Sequence, residues 1–228
     1  MTTSEELKKI SDAAKFEAIA VAYLKIYKAE FANLLHTGVN SSGKIRKDPL
    51  DGFLQTEIND KTAFVFFEFT TEDQKKLEDK WLKDLSSYKR KPPKTVKEGD
   101  ILKAAKEANE LRKSFPEAFF YIVLSTNRHV STSLAKKVAT KCKELNLKNG
   151  GIFAFSNIYD FLENTPEGHW IRQKYLGISA QLLSPNLLKW ISKKNLTQYS
   201  KDIFYSLNSN IINTVSYTHL TLPTILRV

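Results

Sequence analysis

The chain has 228 residues, 42% hydrophobic and 26% charged. This balance excludes a disordered tail, a collagen-like chain and a disulfide-dense mini-protein. The length allows one sizeable domain, or one domain plus part of a second. Thirty-five Lys and Arg stand against 25 Asp and Glu, a formal charge of +10. Such an excess favours a polyanionic partner, most simply nucleic acid, although lysine-rich helices also occur as plainly solvated faces.

Cys142 is the single cysteine, so no intrachain disulfide can form and a reducing cytoplasm is the simplest compartment. The opening MTTSEELKKI lacks the apolar core of a signal peptide. No run reaches the roughly 18 apolar residues that a membrane span needs. His36, His129, His169 and His219 show no metal-ligand spacing, and no glycine-rich phosphate loop is present.

In chain order, Thr3 and Glu6 predict a capping box. Phe16, Ala20, Tyr23, Tyr27, Phe31 and Leu34 then recur at steps of three and four. The spacing predicts one long amphipathic helix over residues 4–35, with Glu17 beside its apolar stripe, where a solvated side chain is the simplest reading. After the loop HTGVNSSGK, residues 49–56 predict a short strand and 63–71 a buried one, a hairpin joined by a loop containing Asn59-Asp60. Glu68 is the one charge inside FVFFEFTT. A carboxylate there costs several kcal/mol unless it is paired or binds a cation. A helix follows over 72–85, with Leu77, Trp81 and Leu85 on one face. SSYKRKPPKTVK is a basic linker carrying Lys89, Arg90, Lys91 and Lys94. Gly99-Asp100 opens a helix to about Ser114. A strand over 119–125 ends at Asn127-Arg128, a lysine-rich helix spans 132–145, and a short strand covers 152–155. Beyond Asn157 the chain reads mostly helical, with a further helix start at Ser184-Pro185. The order predicts an α/β fold, a mixed sheet flanked by helices with a helical C-terminal extension.

An opening helix leading to a hairpin with Asp51 on its first strand and Glu68 on its second resembles the restriction-endonuclease-like fold, the PD-(D/E)XK superfamily. The matching elements are Pro49-Leu50-Asp51, with one residue inserted, and Glu68-Phe69-Thr70. The resemblance implies a Mg²⁺- or Mn²⁺-dependent endonuclease in which Asp51 and Glu68 ligand the metal and Glu17 supports it from the first helix. Mg²⁺ takes hard oxygen ligands and keeps several waters, so two or three carboxylates suffice. The family lysine is missing: Thr70 stands in its place and can neither carry a proton at neutral pH nor supply positive charge. Some branches of the fold place the lysine on a neighbouring helix, and Lys80 and Lys103 are the candidates. Lys89, Arg90, Lys91, Lys94, Asn127 and Arg128 are candidate phosphate contacts. Three alternatives stay open: Asp51-Gly52 as a plain turn, Glu68 as one half of an internal ion pair, and a nuclease fold that has lost catalysis and binds nucleic acid or a partner protein instead.

The series PLDGF, FTT, KW, GDILKAA, LSTNR, FLENTPEGHWIRQKYLGI and LLSPNLL resembles a domain at the N-terminus of large bacterial signalling ATPases of the STAND class, often found in anti-phage defence. The resemblance implies a bacterial cytoplasmic effector with an ATPase and a sensor further along the same chain, DNA as target, and assembly into a homo-oligomer on activation. The ending VSYTHLTLPT resembles a translated sequencing adapter. The expected organisation is therefore a nuclease-like domain over 1–160, a helical extension over 161–214 leading to a downstream ATPase, and an adapter-derived tail over 215–228. Trp170 and Arg172 sit in a distinctive segment whose default role is helix packing or docking of that next domain. Cys142 reads as a small buried residue.

Overall fold

A computed structural model describes residues 2–37, 50–58, 60–87 and 96–179. The expected helix start at Ser184-Pro185, the basic linker residues Lys89 to Lys94, Pro49 and the tail over 215–228 lie outside the described residues. Among the described residues the fold is mixed α/β, a five-stranded sheet flanked by helices.

Helix α1 (Thr3–Lys9) is followed by α2 (Ala13–Tyr27). The single helix expected over 4–35 is thus two helices and a 3-10 turn over Ala29–Phe31. Ile10 adopts an extended conformation that ends α1. Asp12 then caps α2, its carboxylate accepting from the Ala14 and Lys15 amides at 3.0 and 3.4 Å. The first capping box is formed by Thr2 and Glu5, one residue earlier than Thr3 and Glu6.

Strand β1 (Leu35–His36) pairs antiparallel with β2 (Gly52–Ile58), and β2 pairs antiparallel with β3 (Lys61–Thr70). The β2–β3 connection is two residues long, tighter than the loop of several residues expected, and Asp60 takes φ 59° in it. Asx residues tolerate that left-handed geometry better than most. Helix α3 (Leu77–Leu82) is shorter than the 72–85 predicted. Then come α4 (Asp100–Ser114), β4 (Phe119–Thr126), α5 (Thr132–Glu144), β5 (Lys148–Phe153), α6 (Phe155–Asn164) and α7 (Pro166–Leu176). Strands β3, β4 and β5 are mutually parallel, so the spatial order β1-β2-β3-β4-β5 follows the sequence. The last strand starts four residues earlier than the apolar run suggested, at Lys148, and its pairing with β4 shifts register between Ile122 and Val123.

Alternation along β3 builds two cores. Val65, Phe67 and Phe69 face one layer with Phe16, Ile19, Tyr23 and Leu24 of α2 and with α6 and α7. Phe64 and Phe66 face the other layer, with Leu77 and Trp81 of α3, Ile101, Ala104 and Ala108 of α4, and Val138 and Cys142 of α5. Cys142 is buried there, and burial pushes its thiol up to about 11, which keeps it protonated and unreactive. The same period of two places Glu68 on the face covered by α3 and α4. That single step decides which helices can reach it.

The end of β4 is tied to the α1–α2 junction. Asn127, fully buried, donates through Nδ2 to the carbonyls of Leu7 and Ile10 at 2.8 and 2.9 Å. Arg128 donates to the carbonyls of Lys8 and Thr71. Of these two candidate phosphate contacts, Asn127 is fully buried with its amide on the helix junction, while Arg128 is partly buried and bridges the Lys8 and Thr71 carbonyls. Asn127→Ala leaves two buried carbonyls without a donor, at about 1–3 kcal/mol each. Urea unfolding should show a loss of about 2–6 kcal/mol, and an unchanged midpoint would refute this role.

In the last helices, Arg172 is buried and pairs with Glu163 at 2.7 Å, also donating to the Ser179 carbonyl. Trp170 lies half-exposed beneath the Lys174 ammonium, 4.8 Å from its ring centroid. Gly168 lets α7 approach α6, since a Cβ there would collide with the Phe161 carbonyl. No described helix is long and apolar enough to cross a membrane.

Candidate functional site

The site lies at the C-terminal end of β3, where the antiparallel hairpin meets the parallel half of the sheet. Gly52↔Phe67 is the last pair of the β2–β3 ladder; Asp51 stands one residue beyond it, near enough for its charge to act on Glu68. The Asp51 amide donates to the Phe67 carbonyl at 3.2 Å, and its Oδ2 accepts from the Phe69 amide at 2.8 Å. Asp51 stands at a bend just before β2, and its carboxylate closes the end of the β2–β3 ladder through the Phe69 amide.

Glu68 is 2% exposed, and its Oε1 has no hydrogen-bond partner. No ion pair holds it among the described residues. Burial pushes its pKa well above the carboxylate range, and the nearby charges of Asp100 and Asp51 push it further, against the pull of Lys103 and Lys80. Asp51 is raised to about 6: burial is the main cause, opposed by the Phe69 amide, with Glu17 and Asp100 adding to the rise and Lys80 reducing it. These are carboxyl groups whose charge the bare protein does not compensate.

The two candidate lysines come from the helices over this face. Lys80 on α3 and Lys103 on α4 both donate to Oδ1 of Asp100, at 2.8 and 2.7 Å. For Lys80, burial works against the ammonium, but Asp100, and to a smaller degree Glu68 and Asp51, outweigh it and raise its pKa. Their side chains remain 32% and 28% exposed and line a cleft of about 400 Å³ with Glu72, Asp79, Lys97 and Glu98. Neither is the plain surface lysine that a lysine-rich helix suggests. Asp100 itself is 0% exposed. It was legible only as a helix-opening residue, and its ion-pairing role was missed; an Asp at a helix start followed three residues later by Lys was the available signal.

Glu17, expected as a solvated side chain or as a third metal support, is buried on α2. Its Oε2 meets Nε2 of His36 at 3.1 Å. Its charge reaches Asp51, but Glu17, Asp51 and Glu68 do not converge on one point: among the described residues no group of three or more His, Cys, Asp or Glu is arranged to hold a metal ion. Thr70 is buried at the end of β3, and its hydroxyl accepts from the Glu72 amide at 3.1 Å. It ends the strand and carries no charge into the cleft.

The chemistry of the donor set does fit a hard divalent cation. Two adjacent carboxylates with raised pKa values and an unpartnered buried oxygen are what Mg²⁺ or Mn²⁺ would relieve, and one or two carboxylates plus waters complete a common Mg²⁺ shell. Comparison of the chain with protein-family models, curated proteins and solved structures finds no match in any of the three.

Proposed function

We propose that this chain carries a divalent-metal-dependent nuclease domain acting on DNA, the effector part of a larger signalling or defence ATPase. The observation that carries the catalytic reading is the pair of poorly compensated carboxyls Asp51 and Glu68, with an orphaned Glu68 oxygen, whose charges act on Lys80 of the neighbouring cleft and, for Glu68, are opposed by Lys103 of the same cleft. The placement within a larger ATPase rests on the motif series from PLDGF to LLSPNLL.

Asp51 and Glu68 would hold the metal ion. Bound there, it would activate water and neutralise charge on the phosphodiester. The chain's own residues supply the rest. The Phe69 amide fixes the Asp51 carboxylate in direction. Lys80 and Lys103 bring positive charge to the cleft, where an incoming phosphate would be neutralised by preorganised ammonium groups. Thr70 takes no part in charge neutralisation.

The test is cleavage of supercoiled plasmid by the full chain with Mg²⁺ or Mn²⁺, beside Glu68→Ala. Metal-dependent cutting that falls at least about a hundredfold in the variant is the expected result. Cutting that survives in Glu68→Ala overturns the assignment of the site. A second reading, a nuclease fold that only binds, is favoured by Thr70 and by the lack, among the described residues, of a third converging carboxylate. It predicts salt-dependent DNA binding with no cutting by wild type.

A further inference from the structure

The arrangement of Lys80, Lys103 and Asp100 goes beyond a relocated lysine. Both ammonium groups are drawn to one oxygen, Oδ1, of a fully buried carboxylate, while Oδ2 of the same group has no partner. Bringing two like charges to one atom is unfavourable unless the acceptor is strongly anionic and held rigidly. Asp100 is held so. It is the first residue of α4, where the helix dipole favours negative charge. Gly99, just before it, donates its amide to the Lys83 carbonyl at 2.8 Å, and a Cβ at Gly99 would lie 2.6 Å from the Lys83 nitrogen. The start of α4 is thereby seated on the end of α3, which delivers Lys80. The charges of Lys80, Lys103 and Asp100 all reach Glu68. Both lysines also keep access to the cleft that they line.

We propose that Asp100 is a positioning residue: it clamps Lys80 and Lys103 side by side next to Glu68, so that the pair presents to a phosphodiester in the α3–α4 cleft the positive charge that position 70 lacks. This rests on the nuclease reading. Asp100 touches no substrate in this scheme and acts through the two lysines.

The experiment is a mutant cycle on plasmid cleavage by the full chain with Mn²⁺, read as kcat and KM separately, with melting curves for each variant. Asp100→Asn is expected to lower kcat at least about tenfold with KM changed less than about twofold. Added to Lys80→Met/Lys103→Met, Asp100→Asn is expected to cost nothing further. Wild-type rates in Asp100→Asn, or an undiminished loss in the double-lysine background, overturn the proposal. Because Asp100→Asn removes a buried charge beneath two ammonium groups, folded wild type supplies a second measurement, competitive acetylation of its amines. Lys80 and Lys103 are expected to react at least about tenfold more slowly than Lys136. Equal reactivity in a wild type that cuts DNA overturns the clamp alone. Slow reactivity in a wild type that does not cut overturns the nuclease reading, and the catalytic purpose of the clamp with it.

Discussion

Asp51→Asn is expected to be more stable than the wild type at pH 8 without divalent metal, by up to about 3 kcal/mol, and equal to it near pH 3.5. The reason is the rise of the Asp51 pKa from its ordinary 3.8 to about 6, each pH unit of which corresponds to about 1.4 kcal/mol. Below 3.8 the carboxyl is neutral in both folded and unfolded chains and costs nothing. Between 3.8 and about 6 the folded chain holds the proton more tightly than the unfolded one, so stability falls as pH rises. Above 6 the full cost of a charged, half-buried group is present, less whatever water screens. Asparagine never incurs it, and its side-chain oxygen still accepts from the Phe69 amide. For a chain of this length the gain should appear as a melting temperature higher by about 6–12 °C. Mg²⁺ should then raise the wild type and leave the variant almost unmoved, since binding to the folded state alone adds stability. Equal melting of the two proteins at pH 8 in EDTA would sink the claim that Asp51 sits in an uncompensated acidic site. The expected trade, stability gained where cutting is lost, is the usual mark of a functional carboxylate.

Much of this site was legible because its residues break local rules. Glu68 interrupts a run of phenylalanines, and that violation alone marked it. Strand alternation puts Glu68 and Thr70 on one face; that α3 and α4 cover that face is a result of the fold. Lys80 and Lys103 were legible only through the absence of a lysine at position 70, which made helix lysines worth naming. Asp100 was not legible as more than a helix start, because Gly-Asp before a helix is ordinary capping chemistry and nothing local reveals that Lys80, twenty residues earlier, returns to it. His36 was missed for the same reason. Its partner Glu17 lies on α2, and only folding brings β1 against that helix.

The errors in the fold have separate causes. Ile10 lies six residues before Phe16, about 240° around a helix, so it is out of phase with the apolar stripe and marks the break between α1 and α2. Asp12 was a second local signal, a cap residue inside a pattern read as continuous. Asn127 and Arg128 stand at a strand end, where phosphate contact and a structural loop are equally open readings; this strand end runs beneath the α1–α2 junction and supplies donors to it. A long-range hydrogen bond across more than a hundred residues leaves no mark in the neighbouring sequence.

Trp81→Ala is expected to produce the largest loss of stability, and to take part of the site with it. Trp81 is fully buried on α3, in the core layer formed with Phe64, Phe66, Ile101 and Ala104. Truncating a buried tryptophan removes its transfer free energy and leaves a cavity, together about 3–5 kcal/mol. In a chain of 228 residues that is a melting temperature lower by about 6–20 °C. The indole Nε1 has no hydrogen-bond partner, so Trp81→Phe forfeits volume but no bond, and about 1–2 kcal/mol is the expected cost. Helix α3 is only six residues long and cannot hold its shape unsupported. Its anchorage is this side chain and the seat of Gly99 against the Trp81 carbonyl, 2.7 Å from where a Cβ would stand. Lys80 is the residue before the anchor. Loosening α3 therefore releases Lys80 from Asp100, so below its melting temperature Trp81→Ala should cut DNA more slowly while Trp81→Phe keeps most of the wild-type rate. Guanidinium unfolding of both variants beside plasmid cleavage at 20 °C checks the pair. Equal destabilisation by Phe and Ala would show that the indole does not fill this layer, and full cutting by the Ala variant would show that α3 delivers nothing to the site.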